Sequence, residues 1–179
     1  MKNTFTAREE PDLEFVWTWF EFQSVILSEA DAHLDSPIEW AVAPRGYESQ
    51  FFGWSQPEIQ EFVLLQHEEL NMLTMFELLA TVEAILRLDF QRRVRKRLKD
   101  PVSREFQRIG LDRARLDEDI LETWKRSGNL NVGGFRSVLR LRHWLAHGRH
   151  WHPKLGRGFK PVDVYTIAAE LLAAVHPLP

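Results

Sequence analysis

The sequence predicts an all-α fold: a bundle of five to six helices forming a single domain over residues 1–179. Three observations carry this expectation. Apolar residues recur at helical spacing through most of the chain. The stretch from Gln56 to Lys99 continues for more than 40 residues with no Gly and no Pro beyond its first turn. Gly and Pro collect instead between the periodic segments, where they punctuate the chain. A length of 179 residues is enough to bury a core without disulfide or metal staples.

The elements follow in order. Residues 12–34 mix two periods. Phe15, Trp17 and Trp19 alternate as in a strand, whereas Leu13, Val16, Trp17, Phe20, Ser24 and Leu27 fall at helical spacing. Length and the Glu- and Ala-containing second half favour a helix. Residues 35–56 hold Pro37, Pro44, Gly46 and Gly53 and read as a loop, packed on the body through Trp40, Tyr47, Phe51, Phe52 and Trp54. From Gln56 to Lys99 the pattern is one long helix or two joined near His67–Asn71. Pro57 suits its first turn, and Met72, Phe76, Leu79, Leu86 and Phe90 share one face. Asp100-Pro101 marks its end. A further helical stretch, Ser103–Arg126, is expected to be capped at Ser103 and interrupted at Gly110. Ser127–Gly134 is a turn, and Phe135–His147 a helix with Gly148 at the position that favours glycine. His150–Lys160 is a loop, and Pro161–Val175 a last helix capped by Asp163.

Composition narrows the function classes. With 44% hydrophobic and 27% charged residues the chain is of ordinary globular type. It contains no Cys, which excludes disulfides and thiolate metal sites. The start, MKNTFTAREEPDLEF, lacks the pattern of a signal peptide, and no apolar run approaches the roughly 18 residues of a membrane span. A cytoplasmic protein without membrane contact is the expectation. The net charge of −3 conceals a division. Residues 1–86 carry three basic residues against 16 acidic ones, and residues 87–179 carry 20 against 10. Such asymmetry suits an acidic partner for the second half, nucleic acid among them, and equally suits two halves that neutralise each other.

The densest chemistry lies in Leu139–Arg149, LRLRHWLAHGR, and just beyond it. His143, His147, His150 and His152 fall within ten residues, interleaved with Arg142 and Arg149. Histidine exchanges protons near neutral pH, and arginine offers a planar fork of donors to phosphate oxygens. Together they suit phosphodiester cleavage with no cofactor: a base removes the ribose 2′-OH proton, the oxygen attacks phosphorus, and cations hold the developing charge.

Arg142-His143-Trp144-Leu145-Ala146-His147-Gly148 resembles the Arg-x4-His motif of HEPN domains, in which Arg is followed by a polar residue and, after a short spacer, by His. The resemblance implies a helical domain that dimerises to bring two motifs to one cleft. It also implies a metal-independent endoribonuclease, commonly a toxin or antiviral effector, with RNA as substrate. By position, Arg142 and His147 would be the catalytic pair and His143 the polar residue beside the Arg, with Arg140, Arg149 and His150 available to hold substrate. Glu83, a carboxylate on the apolar face of Phe76, Leu79, Leu86 and Phe90, matches the acidic side chain that such domains often place near the motif; pairing with Arg87 at i+4 is its plain structural alternative. In a straight helix positions five apart lie about 140° apart, so Arg142 and His147 would need the helix to end, or a second subunit, to act together.

Other readings stay open. His143 and His147, four apart, could bind a metal with His150 or His152 as a third ligand, although local positive charge and the lack of a nearby acid oppose it. A non-catalytic helical module binding nucleotide, RNA or a protein partner would keep the same fold. The run Arg92–Lys99 either tracks a phosphate backbone or is a solvated helix face. Trp17, Trp19, Phe20 and Phe22 read as core or subunit interface. Toxins of the resembled type that are silenced by nucleotidyl transfer often carry a Tyr two residues after the motif His. Arg149 stands there, which removes that route and leaves an antitoxin that acts by binding, or none at all.

Overall fold

In a computed structural model the chain is described over residues 11–34, 50–51, 53–111, 114–128, 132–147, 158–175 and 177–178. These residues form helices α1 (Leu13–Leu34), α2 (Gln56–Arg95), α3 (Pro101–Ile109), α4 (Glu122–Gly128), α5 (Gly133–Ala146) and α6 (Pro161–Val175), with a π-helical turn, Leu116–Leu121, leading into α4. The described residues contain no strand. The all-α expectation therefore holds, and the alternation at the start of α1 is not a strand.

Helix α2 is the axle. At 40 residues it runs about 60 Å without a break at His67–Asn71. It touches α1, α3, α5, α6 and the π-helical turn. Ser55 caps it: the Ser55 N–H and Oγ–H both donate to Glu58 Oε2, each at 2.7 Å. Because different neighbours cover α2 at different heights, its apolar stripe is wider than one face. Leu79, Leu86 and Phe90 are buried as expected, but so are Leu78 and Val82, while Met72 and Phe76 are only partly covered. Around this column pack Phe106 of α3, Ile120, Leu121 and Trp124 of the π turn and α4, Phe135, Val138 and Leu141 of α5, and Val164, Ala168 and Leu171 of α6. A smaller cluster, Leu34, Phe51, Ile59 and Val63, closes the first turns of α2. There Phe51, Trp54 and Phe62 meet edge to face, so the described part of the aromatic loop does pack on the body. Trp40, Tyr47 and Phe52 lie outside the described residues.

Two helix starts differ from expectation. Asp100, not Ser103, caps α3: its Oδ1 accepts the Ser103 N–H at 3.0 Å and its Oδ2 accepts the Ser103 hydroxyl at 2.5 Å. Pro101 then occupies the first turn, where its missing N–H costs nothing. Asp100-Pro101 thus opens α3, while α2 has already ended at Arg95. Asp163 sits inside the first turn of α6 and accepts the Lys160 N–H at 2.8 Å, acting on the cap from within the helix. Gly110, at φ +78°, ends α3 where the interruption was expected.

Candidate functional site

Helix α5 carries the motif, and its inward face explains the orientation of each polar residue. Phe135, Val138 and Leu141 are buried against α2 and α6, which turns Arg140 and His143 outward and leaves Arg142 on the flank facing α2. Arg142 Nη2 lies 2.9 Å from Glu83 Oε2, and the other oxygen of the same carboxylate accepts Arg87 Nε at 2.8 Å. Glu83 is largely buried; it forms the i+4 pair with Arg87 and also reaches Arg142 of the motif helix. The Nε of Arg142 is buried with no hydrogen-bond partner among the described residues.

α5 ends at Ala146, and His147 leaves helical geometry at φ −96°, ψ 21°, its N–H still donating to the His143 carbonyl. The His143 and His147 rings lie 4.2 Å apart between centroids, tilted by 55° and exposed. Arg140, three residues before His143 and seven before His147, is exposed on the same side. One face of α5 thus presents Arg140, His143 and His147, whereas Arg142 is held separately by Glu83. The i, i+3, i+7 spacing that groups Arg140 with the two histidines is readable in the sequence. Arg149, His150, His152 and Gly148 lie outside the described residues. Among the described residues no three His, Asp or Glu side chains gather as metal ligands.

Beside His147 an apolar groove of about 240 Å³ is lined by Leu145 and Ala146 of α5 and by Glu69, Met72, Leu73 and Phe76 of α2. A second groove of about 340 Å³ shares Glu69 and Leu73 and continues between α1 and α2 past Trp19, Ile26 and Ala30. Neither groove is lined by His143 or His147.

No known family, curated protein or solved structure matches the chain. No described helix is long and apolar enough to cross a membrane.

Proposed function

We propose that the protein is a metal-independent endoribonuclease whose site is built from His147, His143, Arg140 and Arg142, with Glu83 orienting Arg142. The observation that carries this reading is the exposed pair of imidazoles at the end of α5, with Arg140 exposed on the same face. In the reaction one imidazole removes the 2′-OH proton, the 2′-oxygen attacks phosphorus, the bond to the 5′-oxygen breaks, and that oxygen leaves with a proton from a general acid. Arginine donors hold the charge on the non-bridging oxygens.

In-line attack puts the entering and leaving oxygens on opposite sides of phosphorus. Two rings 4.2 Å apart cannot straddle it, so one chain supplies one side of the site. A second copy supplies the other, which makes the homodimer part of the proposal. A toxin or defence role, with a protein antitoxin that acts by binding, fits such an activity.

The test is cleavage of unmodified RNA by the purified protein in EDTA, with products read for 2′,3′-cyclic phosphate and 5′-hydroxyl ends. His147→Ala and Arg142→Ala should each lower the rate by about 10²-fold or more while keeping the helical spectrum. Parent-like cutting by either variant removes that residue from the site. Retention of RNA without cleavage by the parent would favour the binding module.

A further inference from the structure

The end of α2 carries a second feature that the proposed site does not use. Arg95, Lys96, Arg97 and Lys99 are exposed there, and Arg104 of α3 is exposed close by in sequence. None of the five forms an ion pair with a described residue, in contrast to Arg92, Arg93 and Arg108, which are engaged. We infer that this cationic rim is a docking site for the sugar–phosphate backbone of RNA, separate from the histidine face of α5. The ligand class is taken from the function proposed above; the claim itself concerns binding, not cleavage.

The backbone supplies an independent observation. Arg97 has φ +49°, the positive φ of a non-glycine residue among the described positions. It occupies the turn that closes α2: its N–H donates to the Val94 carbonyl at 3.2 Å and the Leu98 N–H donates to the Arg93 carbonyl at 3.3 Å. Glycine is the favoured residue at this position, because a Cβ is penalised in the left-handed region. An arginine held there against that preference calls for a reason other than folding. Neutralising the helix dipole is not sufficient, since Arg92, Arg93 and Arg95 already occupy the last turn.

The rim is also preorganised. Gln107 Nε2 donates to the Leu98 carbonyl at 2.7 Å, and Asp100 is fixed by Ser103 and Arg93, so the α2–α3 connection that carries Arg97 and Lys99 is tied at both ends. An anionic membrane is the less suitable partner. Interfacial binding needs an apolar face beside the cations, yet the exposed Leu64, Leu65 and Leu73 of α2 lie at least 22 residues before Arg95, about 33 Å along the helix, and from residue 74 to 128 Leu111 is the one large apolar side chain exposed among the described residues.

The experiment uses the full chain and a fluorescein-labelled 2′-O-methyl oligouridine of about 20 nucleotides, which presents RNA phosphates but lacks the attacking hydroxyl. Anisotropy should report binding that weakens with salt. Arg97→Gly should weaken it about threefold or more and flatten the log–log salt slope by about 0.7 for the lost contact, while raising the Tm. Arg95→Gln combined with Lys96→Gln and Lys99→Gln should weaken it at least about tenfold. Parent-like affinity in both variants, a fall in Tm for Arg97→Gly, equal competition by polyglutamate, or binding to phosphatidylserine vesicles with no binding to the oligonucleotide would each overturn the inference. Cleavage of unmodified RNA separates the two readings. Binding through the rim without cleavage removes the nuclease alone, and cleavage with variant-insensitive binding removes the rim alone.

Discussion

Asp89 shows how much a single buried charge can organise. It has no exposed surface, and both its carboxylate oxygens accept Arg93 Nε at 2.9 Å. The Leu178 N–H donates to it at 2.9 Å while Arg92 donates to the Leu178 carbonyl, so the chain's last described residues are clipped to α2. Arg93 in turn lies 4.9 Å from the Trp124 ring and reaches Asp100 at 3.4 Å. Burial pushes the Asp89 carboxyl above the usual aspartate value, against the pull of Leu178 and Arg93. A raised pKa means the fold prefers the protonated acid. Its stabilising effect is complete below the ordinary value near ~3.9 and diminishes as pH rises through the raised one. The partner of this carboxyl is the Arg93 guanidinium. Asp89→Asn strands that guanidinium and should cost about 3 kcal/mol in urea unfolding at pH 7. The deficit should widen as pH falls through the raised pKa, since the parent gains stability there by taking up a proton and the variant has no such group. A deficit that stays constant with pH would show that charge is not the cause.

Between elements, Arg136 links α5 to the segment before it. It donates to Asp117 of the π-helical turn and, at 2.9 Å, to Glu122 of α4. That hydrogen bond is the main cause holding the Glu122 carboxyl below the usual glutamate range. A depressed pKa contributes stability above the ordinary value that is lost as pH falls through the lowered one. Glu122→Gln should therefore lower the Tm at pH 7 and converge with the parent in acid; a gap that widens in acid would refute the link. The same region marks where the sequence was legible and where it was not. Helix α6 lies where its periodicity placed it, and α5 starts within two residues of expectation, because Phe135, Val138 and Leu141 repeat on a single buried face. The start of α3 was misplaced because Ser103 and Asp100 are both good caps, and only the fold shows that the Asp100 carboxylate accepts the Ser103 N–H. The π turn was invisible, since Leu116, Ile120 and Leu121 read as ordinary helix in the sequence. At the site, His143 and His147 were legible from their spacing. The Glu83–Arg142 pair was anticipated only as a neighbourhood, because its two members lie 59 residues apart and meet through packing.

On the scale of the whole molecule, the apolar face of α1 is the strongest argument about assembly. Phe15, Trp19, Phe22 and Ile26 recur at i, i+4, i+7 and i+11, and all are exposed, with Val25 beside them. Trp17, by contrast, is covered by Tyr165 of α6, at 4.6 Å between rings, so the aromatic cluster divides into a core half and an open half. Leu64, Leu65 and Leu73 of α2 are also exposed, and the groove between α1 and α2 shares Glu69 and Leu73 with the groove lined by Leu145 and Ala146. A contiguous face of this kind is unusual on a monomer. A second copy packed on it would bury the stripe, and under the proposed nuclease reading it would also bring the second set of groups that in-line attack requires. Phe22→Glu with Ile26→Glu removes no core contact, since Phe22 is 62% and Ile26 45% exposed. The double variant should therefore keep its helical spectrum, sediment as a monomer where the parent sediments as a dimer, and lose RNA cleavage by about 10²-fold. It should still bind oligouridine through the end of α2, because that rim is complete within one chain. A parent that is monomeric at micromolar concentration yet cleaves RNA would end the two-chain site, and the second catalytic group would then have to come from the same chain.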